Sequence, residues 1–132
     1  MAIWYADTSA ALKLVLEEAE SSALAAAIAD GRATLIGTRL LETEMRRAAH
    51  RSPDLDQAEV TAFLATLDIY SLTDALYRQA GLLPGANLRS LDALHLAAAV
   101  ALGVDAILTY DLRMAEAAGE LGVPVIAPTD GA

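Results

Sequence analysis

The stretch Leu102-Gly103-Val104-Asp105-Ala106-Ile107-Leu108-Thr109-Tyr110-Asp111 holds the end of a helix, a short loop, a buried strand and an acid just beyond it. Gly103 follows an Ala/Leu-rich run, at the place where a left-handed residue commonly closes a helix. Ala106-Ile107-Leu108-Thr109 is a short apolar run of strand type. The same succession recurs in Gly122-Val123-Pro124-Val125-Ile126-Ala127. Strands that alternate with helices in this way imply a parallel sheet covered on both faces.

Working outward, short apolar runs predict strands at residues 2–6, 33–36, 69–72, 106–109 and 123–127. Longer amphipathic stretches predict helices at 9–16, 21–29, 39–50, 56–66, 74–83, 91–102 and 112–121. Gly31, Gly103 and Gly122 stand where C-caps are expected, and Thr38, Ser90 and Asp111 where N-caps are. The expected fold class is α/β, a three-layer α/β/α arrangement around a central parallel sheet. There is no internal repeat, low-complexity tract or Pro/Gly-rich linker, so a single domain is expected over residues 1–132.

Composition agrees. The chain has 132 residues, 55% of them hydrophobic, which is enough for a packed core and too apolar for a disordered chain. The apolar residues are mostly Ala and Leu, which favour helices. No cysteine is present, so disulfides, thiolate catalysis and cysteine-ligated zinc or iron–sulfur sites are excluded. Cytoplasmic residence is expected: no basic segment followed by an apolar one opens the chain, and the apolar run 94–102 is far short of the ~20 residues that span a bilayer. Net charge is −9, an unfavourable balance for a protein that grips phosphates. The basic residues are uneven, however. Arg39, Arg46, Arg47 and Arg51 share one segment whose acids are Glu42 and Glu44.

The acids locate a candidate site. In an open parallel sheet the ligand crevice lies beyond the carboxyl ends of the strands. Asp7 follows Ile3-Trp4-Tyr5-Ala6, and Asp111 follows Ile107-Leu108-Thr109-Tyr110. Taken singly, each is an ordinary turn or cap residue. Asp92 falls in the first turn of an otherwise apolar helix, where the dipole favours a carboxylate and where a buried acid needs a partner or a metal. Leu40, Leu41, Met45 and Ala48 mark the apolar face of the 39–50 helix, and Glu44 projects from its edge; the bland alternative is a surface pair with Arg47. Four such acids in one crevice would make a hard oxygen-ligand site suited to Mg²⁺ or Mn²⁺.

These motifs resemble the PIN-domain family. Asp7-Thr8-Ser9-Ala10, with Lys13-Leu14 after it, is similar to the family's opening, and Thr38 to Arg51, with Glu44, to its second acidic motif. Leu91-Asp92-Ala93-Leu94-His95-Leu96-Ala97 is similar to its third, Leu108-Thr109-Tyr110-Asp111 with Arg113 to its fourth, and Val123-Pro124-Val125-Ile126 to its closing strand. The order and spacing match over essentially the whole chain, and within the family the likeness is to VapC-type toxins. The resemblance implies an acidic pocket of Asp7, Glu44, Asp92 and Asp111, catalytic and metal-holding, with Ser9 and Thr109 as supporting hydroxyls. It implies a Mg²⁺- or Mn²⁺-dependent endoribonuclease that cuts structured RNA such as tRNA or rRNA, forms a homodimer and is held inactive by a cognate antitoxin.

His95, three residues past Asp92, reads as a satisfied, partly buried histidine, and His50 as a surface residue. The segment's arginines either contact RNA phosphates or pair with Glu42, Glu44 or an acidic antitoxin segment. Glu116 reads as a solvated helix face, and Glu17, Glu18 and Glu20 as a solvated run between helices. A receiver domain would need paired acids after the first strand and a late lysine, but Asp7 stands alone and Lys13 is the only lysine. A haloacid-dehalogenase-type phosphatase would need a second Asp where Ser9 stands. The remaining alternative is a non-catalytic RNA- or protein-binding module of the same fold.

Overall fold

The computed structural model describes residues 1–130; the last two residues of the expected domain lie outside it. Five strands form one sheet: β1 (Ile3–Ala6), β2 (Thr34–Thr38), β3 (Asp68–Tyr70), β4 (Ala106–Leu108) and β5 (Val125–Ile126). Seven helices connect them: α1 (Thr8–Val15), α2 (Ser21–Gly31), α3 (Arg39–Arg51), α4 (Gln57–Leu64), α5 (Asp74–Leu82), α6 (Ser90–Ala101) and α7 (Leu112–Glu120). Every expected element is present, and the differences lie at the ends. Strand β2, for example, runs on to Thr38, and β5 contracts to two residues.

All pairings are parallel, in the order β3-β2-β1-β4-β5. The chain builds outward from β1 through β2 to β3, then crosses to the other side of β1. The topological switch point is therefore the β1/β4 junction, where a crevice opens beyond the carboxyl ends.

Alternation along β1 feeds two cores. Trp4 and Ala6 face a layer that includes Leu24 of α2, Leu41 and Met45 of α3 and Val60 of α4. Tyr5 faces the opposite layer with Leu76 of α5, Leu96 and Ala99 of α6 and Met114 of α7. The three-layer α/β/α arrangement is thus the observed one.

Two cap expectations are corrected. Gly31 ends α2 as a helical residue, and the left-handed position falls on Arg32 (φ 48°). Gly31 is needed for another reason: a Cβ there would come within 2.7 Å of the Trp4 ring. Ser90 is the first helical residue of α6 and Arg89 precedes it as the cap, without a side-chain cap bond. Thr38 does cap α3, but its side chain makes no cap bond and turns to Tyr5 instead. Gly103 and Gly122 are left-handed as expected, with φ of 65° and 75°. Among the described residues no helix is long and apolar enough to cross a membrane.

Candidate functional site

The register of the central strands sets the first contact. Ala6 of β1 pairs with Leu108 of β4, so the next residues, Asp7 and Thr109, emerge side by side at the switch point. Asp7 is 3% exposed. Its carboxylate accepts hydrogen bonds from the Ser9 hydroxyl (2.7 Å), the Ala10 N–H (3.0 Å) and the Thr109 hydroxyl. The Ser9 hydroxyl in turn accepts from the Tyr110 N–H at 2.9 Å. The hydroxyls expected to support the acid are therefore in contact with it. Burial raises the pKa of Asp7; the Thr109, Ser9 and Ala10 donors and the His95 ring oppose the rise without cancelling it.

Asp111 caps α7, accepting from the Met114 N–H at 2.9 Å, while its own N–H donates to Thr109 Oγ1 at 3.1 Å. Thr109 thus joins two of the acids through one hydroxyl.

Helix α3 follows β2, and α6 precedes β4. In a parallel sheet both therefore begin at the carboxyl edge, which brings Glu44 and Asp92 to the crevice. The apolar face expected of α3 divides in two: Leu41 and Met45 pack into one core, whereas Leu40 packs against a separate cluster formed by Ala80 of α5 with Ala93, Leu94 and Ala97 of α6. Glu44, one turn beyond Leu40, therefore faces α6. Its Oε1 lies 2.6 Å from His95 Nε2 and accepts from the Thr8 hydroxyl at 2.7 Å. The pair with Arg47 is absent. Burial pushes the Glu44 pKa up, but the hydrogen bond to His95, the charge that this ring carries when protonated and the Thr8 donor outweigh burial, and the net direction is down.

Asp92, half-buried in the first turn of α6, has no side-chain hydrogen bond among the described residues. Burial raises its pKa, and the charges of Asp111, Asp7 and Glu44 raise it further, against the pull of His95. All three other acids thus act on Asp92 across the crevice. Their mutual repulsion and their all-oxygen chemistry suit a hard divalent cation. As the side chains stand, no group of three or more His, Asp or Glu among the described residues is already arranged to hold an ion.

Part of this site is not announced by any local sequence pattern. His95 is satisfied as expected but is fully rather than partly buried, at 1% exposure, and its partners are Glu44 and Tyr5, whose hydroxyl is 2.6 Å from Nδ1. Tyr5 lies edge-on to the ring and 3.3 Å from the Thr38 hydroxyl; burial raises its phenol pKa. The available signals are spacings alone: Tyr5 two residues before Asp7 on a strand, and His95 three after Asp92 on a helix.

The basic residues divide. Arg39 and Arg46 pair with Glu42, and Arg46 also bonds Gln57 and Thr61. Lys13 is held by Glu20 at 2.8 Å and lies over the Tyr110 ring. Arg47, Arg51, Arg89 and Arg113 are exposed and make no ion pair among the described residues. Glu116 is exposed, as expected.

Comparison with known proteins gives a consistent picture. The PIN domain family model matches residues 4–120. Ribonuclease VapC35 of Mycobacterium tuberculosis is 39% identical over 130 residues, covering 94% of this chain and 96% of the relative. Ribonuclease VapC46 of the same species is 39% identical over 131 residues, covering 98% and 100%. Among solved structures, M. tuberculosis VapC20, a Sarcin-Ricin loop cleaving toxin, superposes with a TM-score of 0.71 at 18% identity, covering 86% of this chain and 94% of that one. VapBC2 from Rickettsia felis, bound to a DNA fragment from its promoter, superposes with a TM-score of 0.68 at 14% identity, covering 96% and 98%.

Proposed function

Because the chain belongs to the PIN-domain family, we propose that it is an endoribonuclease, the toxin of a toxin–antitoxin pair. Asp7, Glu44, Asp92 and Asp111 would form its catalytic centre. The observation that supports this most is the acids' common position: carboxylates from four separate segments share the carboxyl edge of the sheet at its switch point, with the other three within electrostatic reach of Asp92. The full-length similarity to VapC ribonucleases supports RNA as the substrate. The likeness to a VapBC protein supports an antitoxin partner. Residues 1–132 would act as one domain in the cytoplasm, as a homodimer when free of the antitoxin.

The four carboxylates would hold Mg²⁺ or Mn²⁺. When bound, such an ion lowers the pKa of water and neutralises charge on the phosphoryl oxygens. The chain's own groups prepare the site. Ser9, Thr109 and the Ala10 N–H fix Asp7, and Thr8 and His95 fix Glu44. The Met114 N–H takes Asp111 Oδ1. Asp92, with no side-chain hydrogen bond among the described residues, is the carboxylate best placed to accept a proton. Exposed Arg89 and Arg113, close in sequence to Asp92 and Asp111, would meet the RNA backbone.

The test is incubation of partner-free protein with total cellular RNA and Mg²⁺ or Mn²⁺, beside Asp7→Asn and Asp92→Asn. Discrete, metal-dependent cleavage lost in both variants is expected. Cleavage persisting in both would overturn the site. Metal binding without cleavage of any RNA would favour the binding module.

A further inference from the structure

A buried relay runs behind Glu44. The hydroxyls of Thr38 and Tyr5 are 3.3 Å apart, Tyr5 is 2.6 Å from His95 Nδ1, and His95 Nε2 is 2.6 Å from Glu44 Oε1. These residues come from the end of β2, from β1, from α6 and from α3. Tyr5 and Thr38 are fully buried and His95 nearly so. A leucine or phenylalanine would fill such a space without needing any partner, whereas an imidazole there needs both nitrogens satisfied.

The chemistry fixes the direction of the relay. A carboxylate only accepts, so Nε2 carries the proton shared with Glu44. In the neutral ring Nδ1 is then the acceptor, and the Tyr5 hydroxyl donates to it. With Thr8 donating to the same oxygen, Glu44 Oε1 has two protein donors and Oε2 has no side-chain partner among the described residues.

We propose that His95, held in its Nε2–H tautomer by Tyr5, is a positioning residue for Glu44: it turns Oε1 towards the protein and leaves Oε2 for the divalent cation. This rests on the metal reading of the four acids given above. Partners of this kind behind a ligand typically change metal affinity by about 10–100-fold.

The test is calorimetric titration of Mn²⁺, without RNA, into wild type, Tyr5→Phe, His95→Ala and His95→Gln. Unfolding in EDTA checks the fold, and cleavage rates are followed against both Mn²⁺ and RNA. Tyr5→Phe removes one hydroxyl and keeps the packing. Glutamine keeps an acceptor beside a donor. The expected result is Mn²⁺ affinity weakened about 10-fold or more in Tyr5→Phe and His95→Ala, with most of it restored by glutamine. The Mn²⁺ needed for half-maximal rate should rise while KM for RNA stays put. If His95→Ala does not fold, Tyr5→Phe decides. Wild type that binds Mn²⁺ and cuts RNA, with a folded Tyr5→Phe indistinguishable from it, overturns the positioning role alone. Wild type that does neither overturns the metal reading and the positioning role with it.

Discussion

At the scale of single residues, the site contains two carboxylates with opposite effects on stability. Burial raises the Asp7 pKa above its ordinary 3.8. Below that value the carboxyl is protonated in folded and unfolded chains alike. As pH rises through the folded value, the folded state must bury a charge, and stability falls. Asp7→Asn is therefore expected to unfold at a higher temperature than wild type in EDTA at pH 7, the difference shrinking as pH drops towards 4. Glu44 has the opposite sign. Although burial pushes it up, its bonds to His95 and Thr8 bring it net below 4.5, so its contribution is present above that value and is lost as pH falls through the folded one. Glu44→Gln is expected to cost about 1–2 kcal/mol at pH 7, read by urea unfolding in EDTA, and little in acid. An unchanged midpoint at pH 7 would show that the His95 and Thr8 bonds do not hold the carboxylate.

At the scale of elements, apolar and amphipathic periodicity locates all the strands and helices, and glycine marks the ends of α6 and α7 at Gly103 and Gly122. The other ends and caps are less legible. Thr38 carries the side chain of a cap but gives its hydroxyl to Tyr5, a partner 33 residues away that no local pattern announces. Gly31 shows the same limit. It has the look of a C-cap, yet what requires glycine there is the Trp4 ring across the α2–β1 interface. Gly31→Ala is expected to destabilise by about 1–3 kcal/mol despite alanine's better helix propensity. Gly81, inside α5 with nothing within 4 Å of an added Cβ, gives the contrast. Gly81→Ala should stabilise by about 0.5–1 kcal/mol. Chemical unfolding of the two variants side by side checks both signs, and equal effects would mean that the Trp4 contact does not decide the first.

At the scale of the molecule, the positions of Asp7, Asp92 and Asp111 could be read from the sequence because strand ends and first helical turns are local features, and that of Glu44 from the apolar periodicity of α3. Their support could not. The division of α3, with Leu40 turned to α6, decides where Glu44 faces, and it depends on tertiary packing. Charge has a further consequence. A chain of net charge −9, with Lys13, Arg39 and Arg46 already paired, should hold RNA through few phosphate contacts. Binding of RNA by Asp92→Asn, used to block cleavage, should show a shallow salt dependence. Removing Arg89 or Arg113 should reduce the log–log slope by roughly 0.7 each; an unchanged slope would place the RNA elsewhere. The central claim is that the four acids work as one metal-dependent nuclease centre, and groups that work as a unit fail together. The most direct measurement is the rate of Mn²⁺-dependent cleavage of one end-labelled RNA by wild type, Asp7→Asn, Asp92→Asn and the double variant. The prediction is a loss of at least about 100-fold in each single variant, with the double no lower than the worse single. Small losses that simply multiply in the double variant, or cleavage that survives both substitutions, would contradict it.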